Sequence, residues 1–123
     1  KDIARAEVLR SRAYARVAAF MEEYEFLILP VSQVPPFDVE IRYPDEVEGI
    51  SMETYIEWMK SSYLVSALGL PSLSLPFGFT EEGLPVGIQI VGRNHDDFGV
   101  LQLARVLEEC LGVSNLRPPL ESK

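Results

Sequence analysis

The sequence is poor in the residues that hold metals and form disulfides, because its 123 residues include one cysteine and one histidine. Cys110 has no partner for an internal disulfide, which fits a reducing compartment. Neither His-Glu-x-x-His nor Cys-x-x-Cys occurs in the sequence. We therefore predict no metal site. We expect His95 to lie in a surface turn at a helix start, and Cys110 to be a small, partly buried residue.

Positive charge is also scarce, since eleven Lys and Arg stand against nineteen Asp and Glu for a net charge of −8. An acidic chain without a basic cluster is a poor ligand for nucleic-acid phosphates and for anionic membrane surfaces. No apolar run approaches the roughly 20 residues that cross a bilayer. The sequence starts without Met and lacks a signal-peptide layout. We expect a piece of a cytoplasmic protein that binds neither nucleic acid nor membrane.

Motifs for phosphate binding and nucleophilic catalysis are absent as well. The glycines at 83, 87 and 92 match neither a P-loop nor a dinucleotide fingerprint, and no Gly-x-Ser-x-Gly occurs. The run Lys60–Ser62 sets an amine beside two hydroxyls, as a Ser–Lys hydrolase requires. Consecutive helical residues point about 100° apart, so these three cannot relay a proton. We assign no catalytic residue and no cofactor to this chain.

Apolar periodicity predicts three helices. The first covers Lys1–Glu23, the second begins at Ser51 as N-cap and ends at Gly69, and the third runs from about Asp96 to Leu111. Asp96 or Asp97 caps the third helix, and Gly112 closes it. The predicted inward faces are Met52, Tyr55, Ile56, Met59, Tyr63 and Ala67 on the second helix, and Phe98, Leu101, Leu103, Ala104, Leu107 and Leu111 on the third.

Strand patterns lie between these helices. Residues 26–29 predict a short buried strand that Pro30 stops, and residues 75–80 and 84–91 predict a hairpin with a short polar connection. Val86, Ile88 and Ile90 share one face of the second hairpin strand. Pro118-Pro119 marks a tail. The fold class is therefore α/β, with a few strands packed with three helices. Three strands are few for a sheet covered on both faces, so we expect the sheet to continue in residues that this chain does not contain.

The segment between the first two helices is rich in acids and proline. Ten acids and a single base, Arg42, lie between Glu22 and Glu57. Their spacing does not match an EF-hand loop, so we interpret the segment as a solvated acidic loop rather than a cation site.

Two stretches carry a specific resemblance. Gly69–Phe79 (GLPSLSLPFGF) and Gly83–Gly92 (GLPVGIQIVG) resemble the C-terminal signature of the amidase signature family of serine amidohydrolases. Tyr24–Pro30 resembles the family's strand that ends in Pro, with Glu25 where Asp is usual. The likeness extends over residues 10–111.

The resemblance implies a large mixed sheet between helices, and amide hydrolysis by a Ser that a second Ser and a Lys activate. Those three residues belong to the family's N-terminal half, which this chain lacks. We therefore expect residues 1–123 to be a single C-terminal fragment that is inactive alone. It would supply sheet scaffold and one wall of the substrate pocket. Its expected partners are the N-terminal part of the same amidase and a small-molecule amide.

The resemblance also suggests which residues bind substrate, since the helix before the Gly-Leu-Pro turn borders the acyl channel in such enzymes. Trp58, Met59 and Ser62 are the candidates. For Met59, packing in the core is the simpler explanation, and Trp58 lies off the main apolar face, which fits a pocket or an interdomain contact. A largely apolar pocket with few polar groups would favour aryl or alkyl amides.

Two other functions stay open. One is the ammonia-delivering component of a tRNA-dependent amidotransferase, but such proteins typically carry an Asp and an Asn-Leu-Ala where this chain has Met59 and Ser66–Leu68. We therefore favour the hydrolase. The other is a stand-alone module without catalysis, which would cover its apolar surface and sheet edge by self-association, for example as a homodimer.

Overall fold

The computed structural model describes residues 1–113, and the predicted Pro118-Pro119 tail lies outside them. Three helices alternate with short strands, as the α/β prediction requires. In chain order the elements are α1 (Asp2–Glu23), β1 (Phe26–Pro30), β2 (Glu46–Val47), β3 (Ile50–Ser51), a 3₁₀ turn (Glu57–Met59), α2 (Lys60–Leu68), β4 (Ser72–Phe79), β5 (Pro85–Gly92) and α3 (Asp97–Leu111).

Strand β5 is the centre of a three-stranded antiparallel sheet in the order β1-β5-β4. The predicted hairpin of β4 and β5 is confirmed, and its turn is closed by a bond from the amide of Thr80 to the carbonyl of Leu84 at 2.8 Å. Gly83 takes a φ of 83° in that turn, a conformation that glycine adopts without steric cost. A bulge interrupts β4 between Pro76 and Gly78. The strands β2 and β3 form a separate two-stranded ladder.

Each face of the sheet has its own core. Ile90 and Val91 are 0% and 1% exposed, and as neighbours on a strand they point to opposite faces. On the Ile90 side, β4 and α3 contribute Leu75, Val100 and Ala104. On the Val91 side, α1 and α2 contribute Met21 and Val65. The sheet is therefore a middle layer, with α3 on one face and the α1–α2 pair on the other.

The predicted start of the second helix is wrong. Ser51 lies in β3, and α2 begins nine residues later at Lys60. The amide of Met52 donates to the carbonyl of Asp45 at 2.8 Å, and the amide of Glu53 donates to the side chain of Glu57. These bonds hold the backbone after Ser51 in a non-helical path. The predicted end is confirmed, because Gly69 is the left-handed C-cap with a φ of 67°.

Both ends of α3 are as predicted, and its inward face is predicted in part. The carboxylate of Asp96 accepts a hydrogen bond from the amide of Gly99 at 3.0 Å, and Gly112 ends the helix at a φ of 65°. Phe98 and Leu101 are 72% and 55% exposed, so their predicted inward orientation is wrong. The residues of α3 that pack on this core are Val100, Leu103, Ala104, Leu107 and Leu111, and all of them except Val100 are among the predicted inward residues.

Two predictions of burial also fail. The strand β1 lies at the edge of the sheet, so Ile28 is 49% exposed, although β1 ends at Pro30 as predicted, where Pro30 pairs with Ile88. Cys110 is exposed rather than partly buried. His95 lies in an exposed turn before α3, as expected. Among residues 1–113, no helix is both long and apolar enough to cross a bilayer.

Candidate functional site

A cavity of about 720 Å³ opens beside the start of α2 and the turn end of the β4–β5 hairpin. Its walls come from the segment that follows β1, from the 3₁₀ turn and from the hairpin. The lining residues are Pro30, Val31, Ser32, Gln33, Val34, Pro35, Pro36, Phe37, Trp58, Ser61, Ser74, Thr80, Pro85, Val86 and Gly87. None of these is charged, although 24% of the sequence is. The cavity is thus suited to a neutral group with apolar surface.

Aromatic side chains form one wall of this cavity. The rings of Phe37 and Trp58 meet edge to face, with centroids 5.5 Å apart and planes at 84°. Tyr55 contacts Trp58 in the same way at 6.1 Å, and Tyr43 contacts Tyr55 at 6.0 Å. The indole Nε1 of Trp58 is buried without a hydrogen-bond partner within the described part of the chain. Edge-to-face contacts of this kind favour defined ring orientations, so the wall is an ordered aromatic surface.

A set of hydrogen bonds fixes the segment after β1 against α2. The hydroxyls of Ser61 and Ser62 both donate to the carbonyl of Val31, at 2.9 and 2.8 Å. The amide of Val31 donates to the carbonyl of Gly87 at 3.2 Å. The residue after β1 is therefore tied to α2 on one side and to β5 on the other.

The first turn of α2 is capped from a distant part of the chain. The amide of Lys60 donates to the side-chain oxygen of Gln33 at 2.7 Å, across 27 positions of sequence. Met59, the residue at the N-cap position, makes no side-chain capping bond. A side-chain oxygen on a free amide of the first turn stabilises a helix start. Gln33 thus supplies the cap and also lines the cavity.

The structure separates the three predicted substrate-binding residues. Trp58 lines the cavity. Met59 and Ser62 are half-buried but do not line it, and the hydroxyl of Ser62 is used by the carbonyl of Val31. Ser61, the neighbour of Ser62, does line the cavity.

Two residues that the sequence did not single out contribute to the site. Phe37 lies in a proline-rich loop, where no periodicity marks an inward side chain. Gln89 is 7% exposed and is the one buried polar side chain among residues 1–113. The sequence signal for Gln89 was a lone polar residue between the apolar residues Ile88 and Ile90, a pattern that equally describes a solvent-facing position.

The cluster Lys60–Ser62 has no catalytic geometry. Lys60 is exposed, and within the described chain its side chain makes no hydrogen bond to either serine hydroxyl. Both hydroxyls are instead oriented towards the carbonyl of Val31. Among residues 1–113 no group of three or more His, Cys, Asp or Glu side chains could hold a metal ion. The chemistry that this part of the chain offers is the binding and orientation of a ligand.

Comparisons with known proteins agree on one family. The family model described as Amidase matches residues 2–101. A glutamyl-tRNA(Gln) amidotransferase chain of Thermodesulfovibrio yellowstonii is 32% identical over 99 residues, which are 80% of this chain and 19% of that protein. An acylamidase of Rhodococcus erythropolis is 32% identical over 108 residues, 87% of this chain and 22% of that protein.

The fold comparison gives the same result. A crystal structure of an amidase matches with a TM-score of 0.79 at 32% identity, over 91% of this chain and 25% of that chain. This chain spans about a fifth of the length of the curated relatives it matches.

Proposed function

The chain belongs to the amidase family, and from this premise we propose that it is the C-terminal part of an amidohydrolase. The whole enzyme would hydrolyse a carboxylic amide, breaking the C–N bond and adding water to give an acid and ammonia or an amine. The Ser-Ser-Lys triad of such an enzyme would lie outside residues 1–123. This chain would supply part of the sheet and one wall of the substrate pocket, and it would be inactive alone.

The observation that carries this proposal is the uncharged cavity beside α2. Its volume of about 720 Å³ lies within the range of small-molecule sites. Its polar groups are few, and its walls include the aromatic rings of Phe37 and Trp58. An amide with an aryl or alkyl acyl group matches this surface, because it buries apolar area without desolvating a charge.

A second candidate is the ammonia-delivering component of a tRNA-dependent amidotransferase, and the similarity to the amidotransferase chain from Thermodesulfovibrio yellowstonii supports it. The cavity favours the hydrolase, because its uncharged walls fit a neutral amide with an apolar acyl group. Met59 also stands where the resemblance leads us to expect an Asp in such a component.

A third candidate is a self-associating module, and exposed apolar side chains support it. Phe77, Phe79 and Phe98 are 51%, 55% and 72% exposed. Within the described residues β4 has a neighbour on one side only, so its other edge offers unpaired backbone groups. We propose instead that the N-terminal part of the same amidase covers these surfaces. We also propose that the protein works in the cytoplasm, because a single free cysteine fits a reducing compartment. Sedimentation of the chain alone separates the cases, since a discrete homodimer would favour the self-associating module, whereas non-specific aggregates would favour a fragment that has lost its covering half.

The decisive experiment is amide hydrolysis by the chain alone and by the chain mixed with the N-terminal half of a family amidase. A panel of aryl and alkyl amides would be followed by release of amine or ammonia. We expect no turnover alone and turnover after mixing. Turnover by the chain alone would contradict the proposal. A Lys60→Ala variant would then show whether Lys60 carries the reaction.

The role of Trp58 has its own test in the mixed enzyme. Trp58→Ala should change the preference between aryl and alkyl acyl groups, because it removes an aromatic wall of the cavity. Met59→Leu is the control, since Met59 does not line the cavity. An unchanged preference in Trp58→Ala would remove Trp58 from the pocket.

A further inference from the structure

Gln89 is buried at a position where its strand otherwise places apolar residues. It lies on β5 between Ile88 and Ile90 and is 7% exposed. Its side chain points to the sheet face that packs on α2, which is the face of Val91. A buried carboxamide is unfavourable unless its donors are bonded. The contacts of Gln89 therefore need a structural explanation.

Those contacts join two distant parts of the chain. The Nε2 of Gln89 donates to the carbonyl of Ser61 at 2.7 Å and to the carbonyl of Pro30 at 3.2 Å. Pro30 ends β1 and Ser61 lies in the first turn of α2. One NH₂ group thus bridges two backbone oxygens, which would repel each other without a donor between them.

Both bridged residues line the cavity, whereas Gln89 does not. Segment 30–33 forms one wall, and α2 continues directly from the 3₁₀ turn that carries Trp58. The distance between these walls therefore depends on how β1 and α2 meet. We call the contact between the end of β1 and the start of α2 the junction. The hydrogen bonds from Ser61 and Ser62 to Val31, and the cap from Gln33, lie at this junction.

We infer that Gln89 is the positioning residue of the cavity, because its NH₂ group holds the carbonyls of Pro30 and Ser61 together and so sets the separation of the two walls. The inference rests on the proposed function only in taking an amide as the ligand of the cavity. Gln89 acts through the backbone it fixes and touches no substrate.

The test compares Gln89→Met with Ile90→Val in the 123-residue chain. Gln89→Met keeps the length of the side chain and removes both donors. Ile90→Val trims a fully buried neighbour that faces the opposite core, so it lowers stability without touching the junction. Three quantities are measured for each variant: amide exchange at Val31 and Lys60, the emission maximum of Trp58, and the binding of acetanilide. Trp58 is the only tryptophan, so its emission reports on the cavity wall alone.

In Gln89→Met we expect faster exchange at both amides, a shifted Trp58 emission and roughly tenfold weaker binding of acetanilide. In Ile90→Val, with a similar loss of thermal stability, all three should stay at wild-type values. Equal effects in the two variants would overturn the inference, because Gln89 would then act only on global stability. Unchanged exchange and emission in Gln89→Met would also overturn it.

Two further outcomes can be distinguished from a failure of the inference. If Gln89→Met does not fold, the inference is tested in the wild-type chain by the rate of hydrogen exchange at the side-chain NH₂ of Gln89. Two hydrogen bonds to buried carbonyls require slow exchange of these protons. Rapid exchange would refute the inference. If the wild-type chain does not bind acetanilide, the pocket part of the proposed function fails. Exchange and emission then still decide the role of Gln89.

Discussion

The guanidinium of Arg93 donates from Nε to the main-chain carbonyl of Met21 at 2.8 Å, across 72 positions of sequence. Met21 lies in the last turn of α1, and Arg93 directly follows β5. Carbonyls of a last helical turn lack intrahelical donors, and a cation there also complements the helix dipole. Arg93 therefore anchors the end of α1 to the central strand.

Arg93→Met should lower the free energy of unfolding by about 1–2 kcal/mol, because it removes a charge-assisted hydrogen bond. Urea unfolding measures the change. Arg105→Met is the matched control. Within residues 1–113 Arg105 pairs only with Glu108 and Glu109 on its own exposed helix face, so the substitution should cost about 0.5 kcal/mol or less. Equal losses in the two variants would mean that the bond to Met21 contributes nothing specific.

Gly92→Ala should destabilise the contact between β5 and α3. A Cβ atom at Gly92 would lie 2.5 Å from Cγ2 of Val100, and a β-branched side chain in a helix has little freedom to turn away. We expect a loss of about 1–3 kcal/mol, the usual range for an overpacked core. Thermal unfolding of Gly92→Ala and of Gly78→Ala gives the comparison, because a Cβ at Gly78 meets no atom of the described residues within 4 Å. Identical melting temperatures would contradict this account of the contact.

Asp96→Ala should cost about 1 kcal/mol of stability, because Asp96 caps α3 through the amide of Gly99. Asp97→Ala should cost only about 0.3 kcal/mol, since Asp97 lies in the first turn and acts on the helix dipole alone. Chemical denaturation of both variants measures the difference. A larger loss in Asp97→Ala would show that Asp96 is not the residue that caps the helix.

Phe37→Ala should weaken the binding of acetanilide about three- to tenfold, because the ligand loses one aromatic contact and its binding free energy falls accordingly. Isothermal titration of the chain measures the affinity. Phe98→Ala is the control, because Phe98 is 72% exposed on α3 and lies outside the cavity. Binding that is unaffected by Phe37→Ala would exclude this wall from the ligand site.

The features that could be predicted from the sequence depend on local interactions. The β4–β5 turn, the left-handed Gly69 and the caps of α3 are set by residues within a few positions of each other. The start of α2 was mispredicted because a bond from Met52 back to Asp45, and a cap from Gln33, override the local preference at Ser51.

The candidate site depends more on distant contacts, and less of it could be predicted. Trp58, which lines the cavity, was predicted because the family resemblance puts the residues before the Gly-Leu-Pro turn beside the acyl channel. The bridge from Gln89 joins residues 28 and 59 positions away, and no pattern in the neighbourhood of Gln89 marks those partners. Phe37 reaches Trp58 from an irregular loop, so its inward orientation has no periodic signal.

The central place of β5 in the sheet sets an order for the folding of this chain. The turn bond between Thr80 and Leu84 spans four positions, whereas the bond from Gln89 to Pro30 spans 59. Closing the longer loop costs roughly 2 kcal/mol more in chain entropy. The hairpin and the adjacent α3 can therefore assemble first as a local nucleus, onto which β1 docks late. The cavity wall formed by segment 30–33 would then be among the last parts of the structure to appear.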